Sequence, residues 1–308
     1  MACLFFTPSP FSAYPVKEEI AFGKVKKMRL FVIGGDSRIG YMAEELVRHG
    51  EMVTGLGISS PSTPVRLLEE GIKEADAVVL GIPATRDNET VFAPHYSGLI
   101  PLESVLASCL PSKMLLCGMP GPFLETRCRE MGIPLINYFS REELSLLNAV
   151  PTAEGAVEIA MRELPITLWQ SRCLVIGFGR IGKYLAGILS ALGAKVTISA
   201  RKPSDFALAR MGGFETVHTE GITKVVRNFD VIFNTVPTEI LDAASLSTLP
   251  ASSLIIDLAS LPGGVNVEAA RAFGVKRIHA LSLPGKVAPV TAGKLLCDTI
   301  RNIFSERN

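Results

Sequence analysis

The chain has 308 residues, enough for two domains of ordinary size, with 48% hydrophobic and 20% charged residues. A net charge of +1 gives no broad electrostatic footprint for nucleic acid or an anionic membrane, and no run of about eighteen apolar residues offers a membrane span. The six cysteines include no Cys-x-x-Cys pair and the four histidines show no ligand spacing, so the reading is reduced thiols in a cytoplasm and no metal site.

Residues 1–27 open on a short apolar stretch at Leu4, interrupted by Pro8, Pro10 and Pro15, with the positive charges after it. A secretory signal has the opposite order. This segment is expected to be a disordered extension or the product of a start codon assigned too early, with Met28 opening the fold.

From Met28 the pattern is β/α. Leu30 to Ile33 read as a strand ending in Gly34, Gly35, Asp36, Ser37 and Arg38. An amphipathic helix follows through Leu46, then a short strand near Val53. Residues 77–82 are an unbroken apolar run, as in a buried parallel strand, with Thr85, Arg86, Asp87 and Asn88 in the loop at its carboxyl end. Residues 113–118 and 133–136 read as further strands. The spacing predicts a doubly wound domain over 28–145. An interdomain helix and linker, broken near Pro151, spans 146–170 and contains Asn148 and Glu154.

The second domain, 171–285, is organised around Cys173 to Gly182. Four apolar residues run into Gly177-x-Gly179-x-x-Gly182, with Phe178, Arg180 and Ile181 between the glycines. Leu185, Ile188, Leu189 and Leu192 follow at helical spacing, and 196–200 reads as the next strand. Strand, glycine turn, helix and strand within about thirty residues form a dinucleotide-binding unit. Gly177 permits the tight turn, Gly179 lets the backbone approach a pyrophosphate, and Gly182 lets helix and strand pack closely. The anion would rest on free N–H groups at the helix N-terminus. The alternative is a purely structural turn.

NAD-binding folds usually place a carboxylate at the end of the next strand. Here the residues are Ser199, Ala200, Arg201 and Lys202, which suit a 2′-phosphate and favour NADP over NAD; the alternative is a solvated loop. Later strands are expected at 230–234, 254–257 and near 275–280, and a C-terminal helix over 286–308. Asn234, Thr235, Val236 and Pro237 lie where a nicotinamide ribose or ring would sit. Asp257 ends a strand, as a site residue or as an anchor for the next loop. Residues 284–293 form a glycine and proline loop. Glu154, Asp257 and His279 are the candidate catalytic groups, with Lys286 a comparable candidate; none stands in a recognisable catalytic pair, and Cys173 reads as core. Asp36, Ser37 and Arg38 suit a substrate carboxylate, or an N-cap with a solvated arginine. The two halves form a weak internal repeat, predicting two doubly wound, Rossmann-like parallel-sheet domains around a cleft.

At five stretches the sequence resembles the dipicolinate synthase A-type chain of spore-forming bacteria: residues 32–38; Asn148, Pro151, Glu154 and Gly155; the glycine turn at 177–182; residues 257–264; and residues 283–293. They occur in family order. The resemblance implies NADP-dependent oxidation of a dihydrodipicolinate, derived from 4-hydroxy-tetrahydrodipicolinate, to dipicolinate. It also implies a second, flavoprotein-like subunit (the dipicolinate synthase B-type chain), an oligomer, and a role in the mother cell during sporulation. A ring dicarboxylate needs two anion grips. Arg38 with its helix N-terminus is a candidate for one, and Thr85 or Arg86 for the other, with Asn148 near the cleft. The sequence departs from the family at Leu261, where a basic residue is common, and at Lys286, where an apolar one is. Other readings are a dehydrogenase for another small carboxylate, and a non-catalytic NADP-binding subunit that regulates a partner.

Overall fold

Unbroken apolar runs become strands buried on both faces, and runs with apolar residues every third or fourth position become the helices that cover them. The structure, a computed structural model, describes residues 27–109 and 113–307. The extension expected over 1–27, apart from Lys27, lies outside the described residues.

The first sheet contains β1 (Arg29–Ile33), β2 (Met52–Leu56), β3 (Ala77–Leu80), β4 (Met114–Cys117) and β5 (Leu135–Asn137), all parallel, in the order β2-β1-β3-β4-β5. Its helices are α1 (Ser37–Arg48), α2 (Leu68–Glu74), α3 (Leu102–Ser108) and α4 (Gly121–Glu130). On α1, Ile39, Met42, Ala43 and Leu46 fall on one face and are buried, and Asp36 caps the helix by accepting from the Arg38 backbone N–H at 3.1 Å.

A connecting segment follows as α5 (Glu142–Leu147) and α6 (Ala149–Glu163). The helical break lies at Asn148, three residues before the predicted position. Pro151 falls in the first turn of α6, where its missing N–H would have had no intrahelical partner anyway.

The second sheet contains β6 (Arg172–Ile176), β7 (Lys195–Ala200), β8 (Glu215–His218), β9 (Val231–Asn234), β10 (Leu254–Asp257) and β11 (Lys276–His279), all parallel, in the order β11-β10-β9-β6-β7-β8. Its helices are α7 (Arg180–Ala191), α8 (Pro203–Met211), α9 (Ile222–Val225), α10 (Ala243–Leu246) and α11 (Val267–Ala272). Both sheets are doubly wound, each with an apolar core on either face. The strand order reverses between β1 and β3 in one and between β6 and β9 in the other, and ligands of such sheets bind outside the strand ends at these points.

The expected C-terminal helix is two helices, α12 (Leu283–Val287) and α13 (Pro289–Ser305), so the glycine and proline stretch is largely helical rather than a loop. From the second sheet, α13 returns to the first domain. Leu296, Cys297, Ile300, Ile303 and Phe304 join the core formed by Leu30, Val32, Ile39 and Met42. Each large apolar side chain so buried contributes about 1.5–3 kcal/mol. The crossing with α1 is close: a Cβ built on Gly293 would lie 2.6 Å from the Tyr41 Cβ and 2.8 Å from the Arg38 carbonyl oxygen. The first domain's core therefore contains residues far apart in sequence.

Candidate nucleotide and substrate site

The glycine turn joins β6 to α7. Gly177 has φ +93°, and a Cβ there would lie 2.4 Å from the Thr235 hydroxyl oxygen. That hydroxyl and the Thr235 backbone N–H both donate to the Ile176 carbonyl at 2.9 Å, fixing the start of the loop after β9 against the end of β6. A Cβ on Gly182 would lie 2.1 Å from the Gly177 carbonyl oxygen. A Cβ on Gly179, in contrast, would meet nothing within 4 Å among the described residues. One glycine is thus needed for the turn, one for helix–strand contact, and one faces open space at a helix N-terminus. That arrangement fits a pyrophosphate resting on backbone N–H groups.

Phe178 is buried and meets the Phe214 ring edge-on at 6.3 Å between centroids, and Ile181 packs against the same core. Arg180, the first residue of α7, donates from Nε to Glu142 Oε1 at 2.8 Å and from Nη2 to Glu142 Oε2. The guanidinium holds the Glu142 carboxyl below the usual glutamate range, and Glu142 in turn raises Arg180.

At the end of β7 the sequence expectation needs one revision. Ser199 is fully buried, with its hydroxyl 3.1 Å from the Thr219 hydroxyl, so it points into the sheet layer rather than toward a ligand. Strand alternation explains this, because Ser199 lies one residue before the end of the strand. Arg201 and Lys202 follow the strand, are exposed, and have no side-chain partner among the described residues.

Asp257 is fully buried, and both its oxygens are engaged. Oδ1 accepts from Asn234 Nδ2 at 2.8 Å and the Ala259 N–H at 3.4 Å; Oδ2 accepts from Arg277 Nη2 at 2.7 Å and the Gly264 N–H at 3.3 Å. Its place is that of an anchor for loop 258–264. The Asn234 amide also binds the Val236 backbone from both its ends, so this one cluster holds the loops after β9 and β10. Pro237 follows, exposed. His279 Nε2–H donates to the Ala259 carbonyl at 2.9 Å, leaving Nδ1 unpartnered among the described residues. Arg277 was not anticipated. It comes from the outer strand β11, and only the β10–β11 register shows that it reaches Asp257.

Across the cleft, Arg38 is buried and clamped by Asp36: Nε donates to Oδ1 at 2.9 Å, Nη2 to Oδ2 at 2.7 Å, and Nη2 also approaches the Ile82 carbonyl at 3.5 Å. It is not a solvated arginine, and its Nη1 remains unpaired among the described residues. Ser37 opens α1 beside it. A Cβ on Gly285 would lie 2.8 Å from Arg38 Nε, so α12 brings the second domain's exit segment directly onto this first-domain cation.

Thr85 lies within a tight loop. Its hydroxyl donates to Asp87 Oδ1 at 3.1 Å and accepts from the Asn88 N–H at 3.0 Å. The Thr90 N–H and hydroxyl, with the Glu89 N–H, hold the Asp87 carboxyl well below the usual range. Arg86 stacks its guanidinium 3.9 Å from the Phe92 ring centroid. Asn148 caps α6 through its carbonyl, which accepts from the Thr152 hydroxyl at 2.6 Å. Glu154 is exposed on α6 without a partner among the described residues, next to Gly155, which packs against Val287 of α12. Cys173 is fully buried, as expected of core.

Away from the cleft, His49, Cys297 and Asp298 place ligand-capable atoms within 4.8 Å of one another at the α1–α13 seam, with Lys294 and Arg301 adding positive charge beside Asp298. Among the described residues no helix is long and apolar enough to cross a membrane.

Residues 29–139 match the N-terminal domain of the dipicolinate synthase A-type chain. The dipicolinate synthase A-type chain of Bacillus subtilis is 28% identical over 286 residues, covering 91% of this chain and 96% of the relative. Along most of its length the chain is similar to dipicolinate synthase A-type chains. Crystal structures of two dipicolinate synthase A-type chains share this architecture over most of the chain. That from Bacillus halodurans superposes with a TM-score of 0.85 at 27% identity, covering 92% of this chain and 99% of that one. That from Bacillus subtilis gives 0.84 at 28%, covering 92% and 97%. Residues 152–270 match the NAD-binding domain of D-isomer specific 2-hydroxyacid dehydrogenases. The second domain is therefore a nicotinamide-nucleotide-binding domain of dehydrogenase type.

Proposed function

We propose that the protein is the NADP-dependent component of a two-subunit dipicolinate synthase. It oxidises a dihydrodipicolinate, formed from 4-hydroxy-tetrahydrodipicolinate, to dipicolinate in the mother-cell cytoplasm during sporulation. The observation that carries the reading is the pairing, in a chain similar along most of its length to dipicolinate synthase A-type chains, of the open Gly179 turn with a β7 corner that bears Arg201 and Lys202 and no carboxylate.

A bound nicotinamide supplies a hydride acceptor. The chain's own residues do the rest. The helix N-terminus at Gly179 and Arg180 receives the pyrophosphate, and Arg201 and Lys202 receive the 2′-phosphate. Thr235, Val236 and Pro237, held by Asn234, and loop 258–264, held by Asp257, Arg277 and His279, form the wall toward the reacting ring. On the opposite side the unpaired Nη1 of Arg38 takes one substrate carboxylate, with its clamp to Asp36 fixing the guanidinium plane. The loop of Thr85 and Arg86, and Asn148, border the substrate from the first domain.

The ring loses a hydride and one proton and becomes an aromatic pyridine. Aromatisation supplies much of the driving force, so positioning carries more of the catalysis than acid/base strength. His279, through its unpartnered Nδ1, and Glu154, exposed beside the α6–α12 contact, are the proton acceptors to test. Cofactor titration with NADPH and NADH tests the reading directly. Preferential binding of NADPH, reduced toward parity in Arg201→Gln/Lys202→Gln, is expected. Equal binding of both by the wild type would refute the 2′-phosphate assignment.

A further inference from the structure

Arg180 leaves the backbone directly after Gly179, at the helix end that receives the pyrophosphate, yet both nitrogens on one edge of its guanidinium are taken by Glu142. Glu142 does not belong to the nucleotide domain. It opens α5 in the segment that leads away from β5, 38 residues earlier in the chain. That segment is tied to the first domain: Arg141 donates from Nη1 to Glu306 at the end of α13 at 2.8 Å. Tyr138, a few residues earlier, is fully buried and bonded to the Leu80 carbonyl at 2.7 Å. The Arg180–Glu142 pair is thus a charged contact between the phosphate-facing helix and a strap anchored on the first domain.

The pair is solvent-exposed, with side-chain exposures of 50% and 60%, so it is weak and exchangeable. A dinucleotide pyrophosphate at Gly179 offers the same guanidinium a stronger anion. Were Glu142 to stay bound, it would neutralise Arg180 and hold a carboxylate next to the incoming phosphates.

We infer that Glu142 is an affinity-determining residue of the cofactor site: it competes with the pyrophosphate for Arg180, and cofactor binding transfers Arg180 from Glu142 to the phosphates, releasing the strap. This rests on the dinucleotide reading of the glycine turn.

The test is a double-mutant cycle on the full chain, with NADPH binding followed by fluorescence in wild type, Glu142→Gln, Arg180→Gln and the double variant. Circular dichroism and a thermal unfolding trace of each ligand-free protein establish that it is folded. The expected results are that Glu142→Gln binds NADPH about two- to fivefold more tightly, the range open to an exposed ion pair, that Arg180→Gln binds more weakly, and that Glu142→Gln has no effect in the Arg180→Gln background. The gain in Glu142→Gln also shrinks as sodium chloride is raised, because the competing pair is screened. A merely structural role for Glu142 would give unchanged binding, and a role in orienting Arg180 would give weaker binding. Either overturns the inference while leaving the dinucleotide reading in place. If no folded variant, wild type included, binds NADPH or NADH, the dinucleotide reading falls and the inference with it.

Discussion

Alanine at Gly179 and alanine at Gly182 are expected to fail in opposite ways. Gly179 has φ −81° and ψ −158°, an extended conformation open to any L-residue, and a Cβ there meets nothing within 4 Å among the described residues. Gly179→Ala therefore leaves the fold intact. By restricting the unfolded chain it raises stability by about 0.4–1 kcal/mol. The added methyl occupies the space through which an anion would approach the helix N-terminus. Loss of one hydrogen bond to a charged phosphate costs about 1.5–3 kcal/mol, roughly a 10- to 150-fold drop in cofactor affinity. At Gly182 the Cβ would lie 2.1 Å from the Gly177 carbonyl oxygen, a backbone atom that no rotamer change can move. Gly182→Ala must push α7 off the turn, at an overpacking cost of about 1–3 kcal/mol or more. Urea unfolding and NADPH titration of the two variants separate the effects. Gly179→Ala with wild-type NADPH affinity, or Gly182→Ala with wild-type stability, would refute the reasoning.

Asp257→Ala removes the partner of Arg277 inside a buried cluster, and the uncompensated charge is expected to cost about 3–5 kcal/mol by urea unfolding; a loss below about 1 kcal/mol would contradict the anchoring role. Glu103, Glu142, Glu163 and Glu306 are held below the ordinary glutamate value of 4.5 by Arg127, Arg180, Lys276 and Arg141. Their folded values lie below their unfolded ones, so the stability they add is present above about pH 4.5 and is lost as pH falls through the folded values. Asp298, raised by burial, contributes in the opposite sense. Its share is present at low pH and is lost as pH rises, so a melting temperature that increases steadily as the pH is lowered below about 4.5 would mean the four glutamates do not dominate. Burial pushes the thiols of Cys109 and Cys297 up to about 12 and those of Cys128 and Cys173 up to about 11, and Cys117 higher still. These five should resist a thiol reagent in the folded protein and react together on unfolding; fast labelling of any of them in native buffer, located by peptide mapping, would be at odds with that burial.

Local pattern carried the parts of the structure that depend on neighbours in sequence. The turn at Gly177–Gly182 is legible because each glycine answers a constraint within one strand–turn–helix unit, and β3, β9 and β10 are legible because unbroken apolar runs cannot face water. Edge strand β8, with Glu215 and His218 at its ends, lacks that signal and escaped the reading. Face assignment failed at Ser199, whose hydroxyl suits a phosphate but whose place in the strand turns it inward to Thr219. At Arg38 the structure separates two open alternatives: Asp36 is the N-cap, but the arginine is clamped and covered by α12 rather than solvated, which only the return of the chain's end to the first domain could show. Arg277 on Asp257 and Glu142 on Arg180 depend on strand register and domain arrangement, which no local period encodes.

The most direct test of the proposed activity supplies the protein, with and without its proposed flavoprotein-like partner, with freshly generated 4-hydroxy-tetrahydrodipicolinate and NADP. Dipicolinate is followed by its ultraviolet absorbance and NADPH separately by fluorescence. Dipicolinate and NADPH appearing in equal amounts is the predicted result. No dipicolinate under either condition, from protein that still binds NADPH, would contradict it.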